Sequence, residues 1–137
     1  MRFLTIGVFT LFLLMAGCTQ KDKEEGSAVE KETPERVLRH VVMFKFKDST
    51  AVEDIEKVKD AFAALPGKIP QIKAFEWGVN NSPEGFDKGF THCFFLTFYS
   101  EEDRAVYLPH PDHKAFGAVL GPYLEDVMVL DYWTSGN

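Results

Sequence analysis

The feature that most constrains the fold is the order in which two hydrophobic periodicities follow each other along the chain. Apolar residues recur with a period of two over residues 39–47, 71–79 and 91–99, as they do in strands, and a fourth strand is predicted over residues 126–133. Segments of helical spacing separate the first strand from the second and the third from the fourth. This order predicts a ferredoxin-like α+β fold, with a four-stranded antiparallel sheet and helices on one face.

The predicted helices have recognisable start signals. Thr50 with Glu53, and Ser100 with Asp103, have the spacing of a capping box, in which the first side chain accepts from the backbone of the second. The first helix is expected to end at the Pro-Gly pair that starts at Pro66, since proline and glycine both interrupt helices.

The amino terminus has the pattern of a bacterial lipoprotein signal. Arg2 precedes an apolar run over residues 3–15 that is too short for a membrane span, and a Met-Ala-Gly sequence then leads into Cys18. This pattern resembles a lipobox, whose cysteine becomes the first mature residue and carries acyl chains such as palmitate. We expect residues 1–17 to be a signal peptide and Cys18 to be lipidated. An ordinary cleaved signal or an uncleaved short anchor is the alternative.

The rest of the chain divides into a linker and one domain. Residues 18–36 are polar and charged, with Val29 as the only sizeable apolar residue, and are expected to form a flexible tether. Residues 37–137 are expected to fold as the domain, in the periplasm or at the surface of a bacterial cell envelope, held to the membrane by lipid. The net charge of −6 argues against a nucleic-acid partner.

Both faces of the predicted sheet carry apolar residues, although helices can cover only one of them. Val41, Met43, Phe95 and Tyr99, or the residues opposite them, are left on the uncovered face. Such a patch on a secreted domain indicates a partner, and two sheets packed face to face form a dimeric α/β barrel. We therefore expect a homodimer through the open sheet face. The alternative is that loops and the tether of the same chain cover this face.

The segment from Tyr107 to Phe116 concentrates reactive side chains, with two of the four histidines, a tyrosine and an aspartate. Pro109 and Pro111 push the residues before them towards extended conformations, so a helix should break at the first proline and restart at the second. His113 then lies in the first turn of a helix, where the positive dipole end favours a neutral imidazole and hence a base. A rigid surface turn with solvated or capping histidines is the alternative.

Two further histidines begin predicted strands. His40 starts the first strand and His92 the third, and we expect these strands to be parallel neighbours at the centre of the sheet. The two imidazoles would then lie side by side at the same end of the sheet if they share a face. With His110 and His113 they could supply an all-imidazole metal site. No carboxylate or thiol completes a familiar metal signature, so no metal is expected.

Four stretches, in this order, resemble the stress-responsive α/β-barrel family, also called the Dabb domain: RHVVMFKFKD at residues 39–48, Glu76-Trp77-Gly78, Thr91-His92 and His110-Pro111-Asp112-His113. The resemblance covers about residues 37–134. It implies a homodimer of ferredoxin-like subunits that forms a barrel, and chemistry without a metal or an organic cofactor.

The resemblance also implies roles for individual residues. In a plant cyclase of this family a histidine at the position of His113 acts as base in an aldol condensation, assisted by a tyrosine at the position of Tyr107. Phe62 stands where that cyclase has a pocket tyrosine, which argues against the same substrate here. By this resemblance His113 and Tyr107 are the catalytic candidates, and the residues expected to line the pocket are His40, His92, Phe62, Trp77 and His110.

Two functional classes remain open at this point. The first is a cofactor-free acid–base enzyme of cyclase or lyase type that acts on a small apolar or aromatic carbonyl compound. The second is a non-catalytic periplasmic binding or stress protein that holds an apolar ligand in the same pocket. Loss of His113 would remove turnover in the first class and only packing in the second.

Overall fold

The computed structural model describes residues 34–135. Within this range the elements are β1 (Arg36–Phe46), α1 (Val52–Ala63), β2 (Ala74–Val79), β3 (His92–Phe98), α2 (Glu101–Tyr107), α3 (Pro111–Leu120) and β4 (Leu124–Ser135), with a short 3-10 turn at Leu65–Gly67. The predicted signal peptide, Cys18 and nearly all of the tether lie outside the described residues. Among the helices of residues 34–135, none has the length and apolar composition needed to cross a membrane.

The four strands form one antiparallel sheet in the order β2-β3-β1-β4. The element order and the sheet confirm the predicted ferredoxin-like α+β fold. β4 pairs with β1 along almost its whole length, and the register shifts only between Lys45 and Phe46.

The prediction that the first and third strands are parallel was wrong. β3 returns from β2 and inserts beside β1, antiparallel to both strands, because a direct connection from β2 reverses the chain. In this register His40 lies opposite Leu96 and His92 lies opposite Phe44. The two histidines are therefore at opposite ends of the β1–β3 pairing, and the expectation that they lie side by side is also wrong.

The helices cover one face of the sheet and bury an aromatic cluster there. The ring of Phe62 from α1 lies 4.3 Å from that of Phe94 on β3 and 4.6 Å from that of Phe116 on α3, between ring centroids. Phe44 of β1 stacks with Phe62 at 5.8 Å between ring centroids. Burial of large aromatic rings contributes much of the stability of a domain this small, so the cluster fixes both helices on the sheet.

The opposite face of the sheet has no helix of the described residues packed on it. Leu130 and Tyr132 of β4 are 52% and 46% exposed there, next to the partly buried Met43 and Phe95 of the neighbouring strands. The sequence-based expectation of an uncovered apolar face is met within residues 34–135.

One of the two predicted capping boxes forms. The Ser100 hydroxyl accepts from the backbone N–H of Asp103 at 3.1 Å and starts α2 as predicted. The prediction for Thr50 was wrong, since α1 begins at Val52 with no side-chain cap. Instead the Thr50 hydroxyl donates to the Tyr123 carbonyl at 3.4 Å, a tertiary contact that sequence spacing does not reveal.

Candidate active site

A cavity of about 700 Å³ opens between the helix-covered face of the sheet and helices α2 and α3. We call it the helix-side cavity. Its apolar walls are formed by Val42, Phe44, Phe62, Phe116, Leu120, Leu124, Val127 and Val129. Its polar and charged lining residues are His40, Arg104, Tyr107, His113, Lys114 and Asp131. Its size and its mixture of apolar walls with a few polar groups are typical of small-molecule sites.

The break between α2 and α3 brings two of the predicted residues together. α2 ends at Tyr107 and α3 begins at Pro111, as the two prolines predicted. His110 caps α3, because its Nδ1 accepts from the backbone N–H of Asp112 at 3.2 Å. The rings of Tyr107 and His113 lie 4.3 Å apart across the break, between centroids.

A single hydrogen bond defines the tautomer of neutral His113. Its Nδ1 lies 2.9 Å from the carbonyl oxygen of Leu108. A carbonyl oxygen only accepts, so Nδ1 must carry the proton and donate it. The lone pair of a neutral His113 is then on Nε2, where it can accept a proton from a ligand in the helix-side cavity.

Tyr107 is fully buried, and its hydroxyl has no hydrogen-bond partner. Within residues 34–135 no other buried side-chain polar atom is left unpartnered. Burial raises the pKa of the Tyr107 phenol well above its usual range, so the group stays protonated and remains a donor. A buried donor without an acceptor is rare in folded proteins, and a role in catalysis or ligand binding is one of the explanations for such a group.

His40 is held by a carboxylate that the sequence analysis did not identify. Its Nδ1 donates to Asp131 Oδ1 at 2.8 Å, and Arg104 contacts the other carboxylate oxygen at 3.3 Å. His40 is 5% exposed, and its ring meets the Tyr107 ring edge-on at 5.7 Å. One signal could have revealed Asp131: it is the only acidic side chain on the helix-facing side of β4, in line with Val127, Val129 and Trp133 at every second position.

The structure brings His40, Phe62, Tyr107 and His113 to the helix-side cavity, and places the remaining predicted residues elsewhere. His110 acts as the helix cap. The chemical roles of His40, Phe62, Tyr107 and His113 stay predictions.

His92 lines a second cavity of about 510 Å³ at the other end of the sheet. There it bonds to the Thr91 hydroxyl at 2.9 Å and meets the Phe46 ring edge-on, and burial lowers the pKa of its imidazole. Trp77, 41% exposed on β2, lies 5.3 Å below the Lys59 ammonium. The four imidazoles therefore do not meet. Among residues 34–135, no three His, Cys, Asp or Glu side chains are grouped so that they could hold a metal ion.

Comparison with known proteins identifies relatives over the same region. Residues 38–134 match the family described as the stress responsive A/B barrel domain, Dabb. A stress-response A/B barrel domain-containing protein of Arabidopsis thaliana, HS1, is 39% identical over 95 residues, which cover 69% of this chain and 87% of that protein. Olivetolic acid cyclase of Cannabis sativa is 30% identical over 95 residues, which cover 69% of this chain and 94% of the cyclase.

Solved structures show the same fold. A hydroxynitrile lyase from Passiflora edulis is similar with a TM-score of 0.69 and 26% identity, over 76% of this chain and 98% of the lyase. A ferredoxin-like protein of Bacteroides fragilis, described as dimeric and of unknown function, is similar with a TM-score of 0.59 and 31% identity, over 70% of this chain and 94% of that chain.

Proposed function

Because the chain belongs to the stress-responsive A/B barrel (Dabb) family, we propose that it is a cofactor-free acid–base enzyme of cyclase or lyase type, acting on a small carbonyl compound with an apolar body. The observation that carries the proposal is the pair formed by His113, with a free Nε2, and Tyr107, with a buried and unpartnered hydroxyl, on one apolar cavity. Relatives named as a cyclase and as a hydroxynitrile lyase support this class of chemistry.

The pair is suited to removing a proton next to a carbonyl group. His113 Nε2 takes the proton from the carbon and becomes an imidazolium, while the Tyr107 hydroxyl donates a hydrogen bond to the carbonyl oxygen as it gains negative charge. The enolate then reacts or is reprotonated by the same imidazolium. A hydrogen bond from a preorganised donor to a developing oxyanion typically accelerates a reaction by about 10²–10³-fold.

Asp131 positions His40 beside this pair. Its carboxylate accepts the Nδ1–H of His40 and is held on its other oxygen by Arg104. The His40 ring is thus fixed with Nε2 away from the carboxylate and meets the Tyr107 ring edge-on. Through this ring contact the group of His40, Asp131 and Arg104 supports Tyr107, in addition to the contact of Tyr107 with His113.

The proposal is tested by proton exchange with solvent. Butyrophenone, an aryl ketone with an enolisable methylene group, is incubated with the full-length chain in deuterium oxide, and incorporation is followed by NMR. The exchange rate with His113→Gln should be about 10²–10⁴-fold lower than with the wild-type protein, the range for general-base catalysis. His110→Asn is the matched control, since it removes a nearby imidazole while leaving a side chain that caps α3 well.

Two outcomes would count against the proposal. Exchange that survives in His113→Gln would remove this residue as the base. Tight binding of the ketone without any exchange in the wild-type protein would support the alternative, a non-catalytic binding protein. Gly117→Leu tests whether the ketone binds in the cavity. A Cβ at this position meets no atom within 4 Å, so the larger side chain should extend into the open space at the cavity lining and reduce binding.

The membrane anchor and the assembly are part of the same proposal. The lipobox-like sequence before Cys18 supports a lipid anchor that holds the domain at a bacterial membrane. Cys18→Ser should move the protein from the membrane fraction to the soluble fraction on cell lysis, and an unchanged distribution would argue against the anchor. The exposed apolar side chains of Leu130 and Tyr132, and the 31% identical relative described as dimeric, support a homodimer through the open sheet face.

A further inference from the structure

The charges that line the helix-side cavity have the opposite sign to the chain as a whole. Arg104, Lys114 and Asp131 are the lining residues with a formal charge, and together they give +1 when the histidines are neutral. The whole chain has a net charge of −6. A cavity that is locally positive on an acidic protein attracts anions while the surrounding surface repels them.

Only one of the two cations is compensated. Arg104 lies 3.3 Å from Asp131, which also accepts a hydrogen bond from His40, so these charges are largely satisfied among themselves. Lys114 forms no ion pair with any carboxylate of residues 34–135. The nearest acid along the helix, Asp112, is instead 3.8 Å from Lys68. The ammonium group of Lys114 is therefore the charge at the cavity that is free to bind a ligand.

The position of Lys114 favours an anion further. It follows His113 in the first turn of α3, a helix of 10 residues, where the backbone dipole adds partial positive charge. Lys114 is exposed, whereas Tyr107 is fully buried. The lining of the cavity thus combines an exposed cation, a buried hydrogen-bond donor without an acceptor, and apolar walls.

We propose that the ligand of the helix-side cavity is an oxo acid with an aromatic or alkyl body, whose carboxylate binds Lys114 at the rim and whose ketone or aldehyde oxygen accepts from Tyr107. This inference rests on the proposed function for the carbonyl group and adds the anionic group, which defines the substrate class. Lys114 is the residue that determines the preference for the anion.

The test compares three probes that differ by one group each. Benzoylpropionate has the aryl group, the ketone and the carboxylate. Benzoylpropionamide has a neutral amide in place of the carboxylate, and phenylbutyrate lacks the ketone. Dissociation constants are measured by calorimetry for the full-length wild-type chain, for Lys114→Gln, and for Lys57→Gln. The last variant removes the same charge from α1, away from the cavity lining.

The wild-type protein should bind benzoylpropionate about fivefold more tightly than benzoylpropionamide, the size expected for one accessible ion pair. This preference should shrink at high salt, which screens exposed charges. Lys114→Gln should bind both probes equally while keeping the wild-type affinity for the amide, and Lys57→Gln should behave as the wild type. Phenylbutyrate should bind more weakly than benzoylpropionate in every variant that retains Tyr107.

Equal affinity of the wild-type protein for the acid and the amide would overturn the inference, and so would a preference that persists in Lys114→Gln. Failure of the proposed function has a different signature. If the anion preference is present and depends on Lys114, but the methylene protons of benzoylpropionate do not exchange with deuterium, the cavity binds an oxo acid without catalysing enolisation. If both probes exchange equally fast, the enzyme proposal stands and the anionic substrate class is wrong.

Discussion

Replacing Tyr107 by phenylalanine should make the free protein more stable and at the same time remove its proposed activity. The Tyr107 hydroxyl is buried without a hydrogen-bond partner, which is a cost that the folded state carries and the solvated unfolded state does not. The ring itself is well packed, 5.2 Å from Phe98 and 4.3 Å from His113 between centroids. Phenylalanine preserves these contacts and deletes only the unpartnered group.

The size of the effect follows from the penalty for an unsatisfied buried polar group, about 1–3 kcal/mol. From this range we take the lower end and expect an increase of about 1 kcal/mol in the free energy of unfolding. For a domain of about 100 residues this corresponds to a rise in Tm of about 4–8 °C.

The same variant should change the response to alkaline pH. Burial raises the pKa of Tyr107 in the folded state, so the unfolded state loses the phenol proton first as the pH rises. The wild-type protein should therefore lose stability above about pH 10, the ordinary pKa of tyrosine, with a slope of up to about 1.4 kcal/mol per pH unit from this group. Tyr107→Phe should lack this part of the alkaline loss.

Urea denaturation of both proteins, at neutral pH and at several alkaline values, measures these differences. Tyr123→Phe is the matched control, because the hydroxyl of Tyr123 donates to Asp54 Oδ1 at 3.0 Å. Deleting that satisfied group should destabilise the protein by about 1 kcal/mol, the opposite sign. If Tyr107→Phe instead destabilises by as much as Tyr123→Phe, the Tyr107 hydroxyl has a partner in solution, and the argument that it awaits a ligand fails.

Two further expectations concern regions away from the helix-side cavity. Burial lowers the pKa of His92 in the folded state, so the unfolded state gains a proton first as the pH falls. The free energy of unfolding should therefore drop below about pH 6.5, and the denaturation curves of His92→Gln should show a smaller drop, whereas an equal acid-side slope would contradict the assignment. Leu130→Asp introduces a charge on the open sheet face at a side chain that is 52% exposed, so it should dissociate the proposed dimer without unfolding the protomer. Sedimentation velocity should show a monomer, while Val79→Asp on the helix-facing side of β2 should stay dimeric. A dimeric Leu130→Asp would place the interface elsewhere.

Sequence signals gave correct predictions where the interaction involves only neighbouring residues. The prolines at 109 and 111 act on their own and the preceding residues, and they correctly predicted the break between α2 and α3 that brings Tyr107 against His113. The Ser100 cap formed for the same reason. The Thr50 cap did not form, because α1 begins one residue later, with Ala51 at its N-cap position; the Thr50 hydroxyl instead donates to the carbonyl of Tyr123, distant in sequence.

Strand direction was the main error, and it changed the composition of the site. Alternation of apolar residues shows which side chains share a face but not which way a neighbouring strand runs. The antiparallel pairing of β1 with β3 separates His92 from His40. The partner of His40 is instead Asp131, 91 positions along the chain, on a strand whose register no local pattern defines.

The sequence by itself thus determined the order of the elements, which side chains share a face of each strand, and the helix break between Tyr107 and His113, because periodicity and proline geometry act within a few residues. Tertiary structure decided which end of the sheet holds the cavity, which carboxylate positions His40, which His113 nitrogen keeps its lone pair, and that the Tyr107 hydroxyl has no partner. These features depend on contacts between residues far apart in the chain, whose geometry exists only once the sheet has formed and the helices have packed on it.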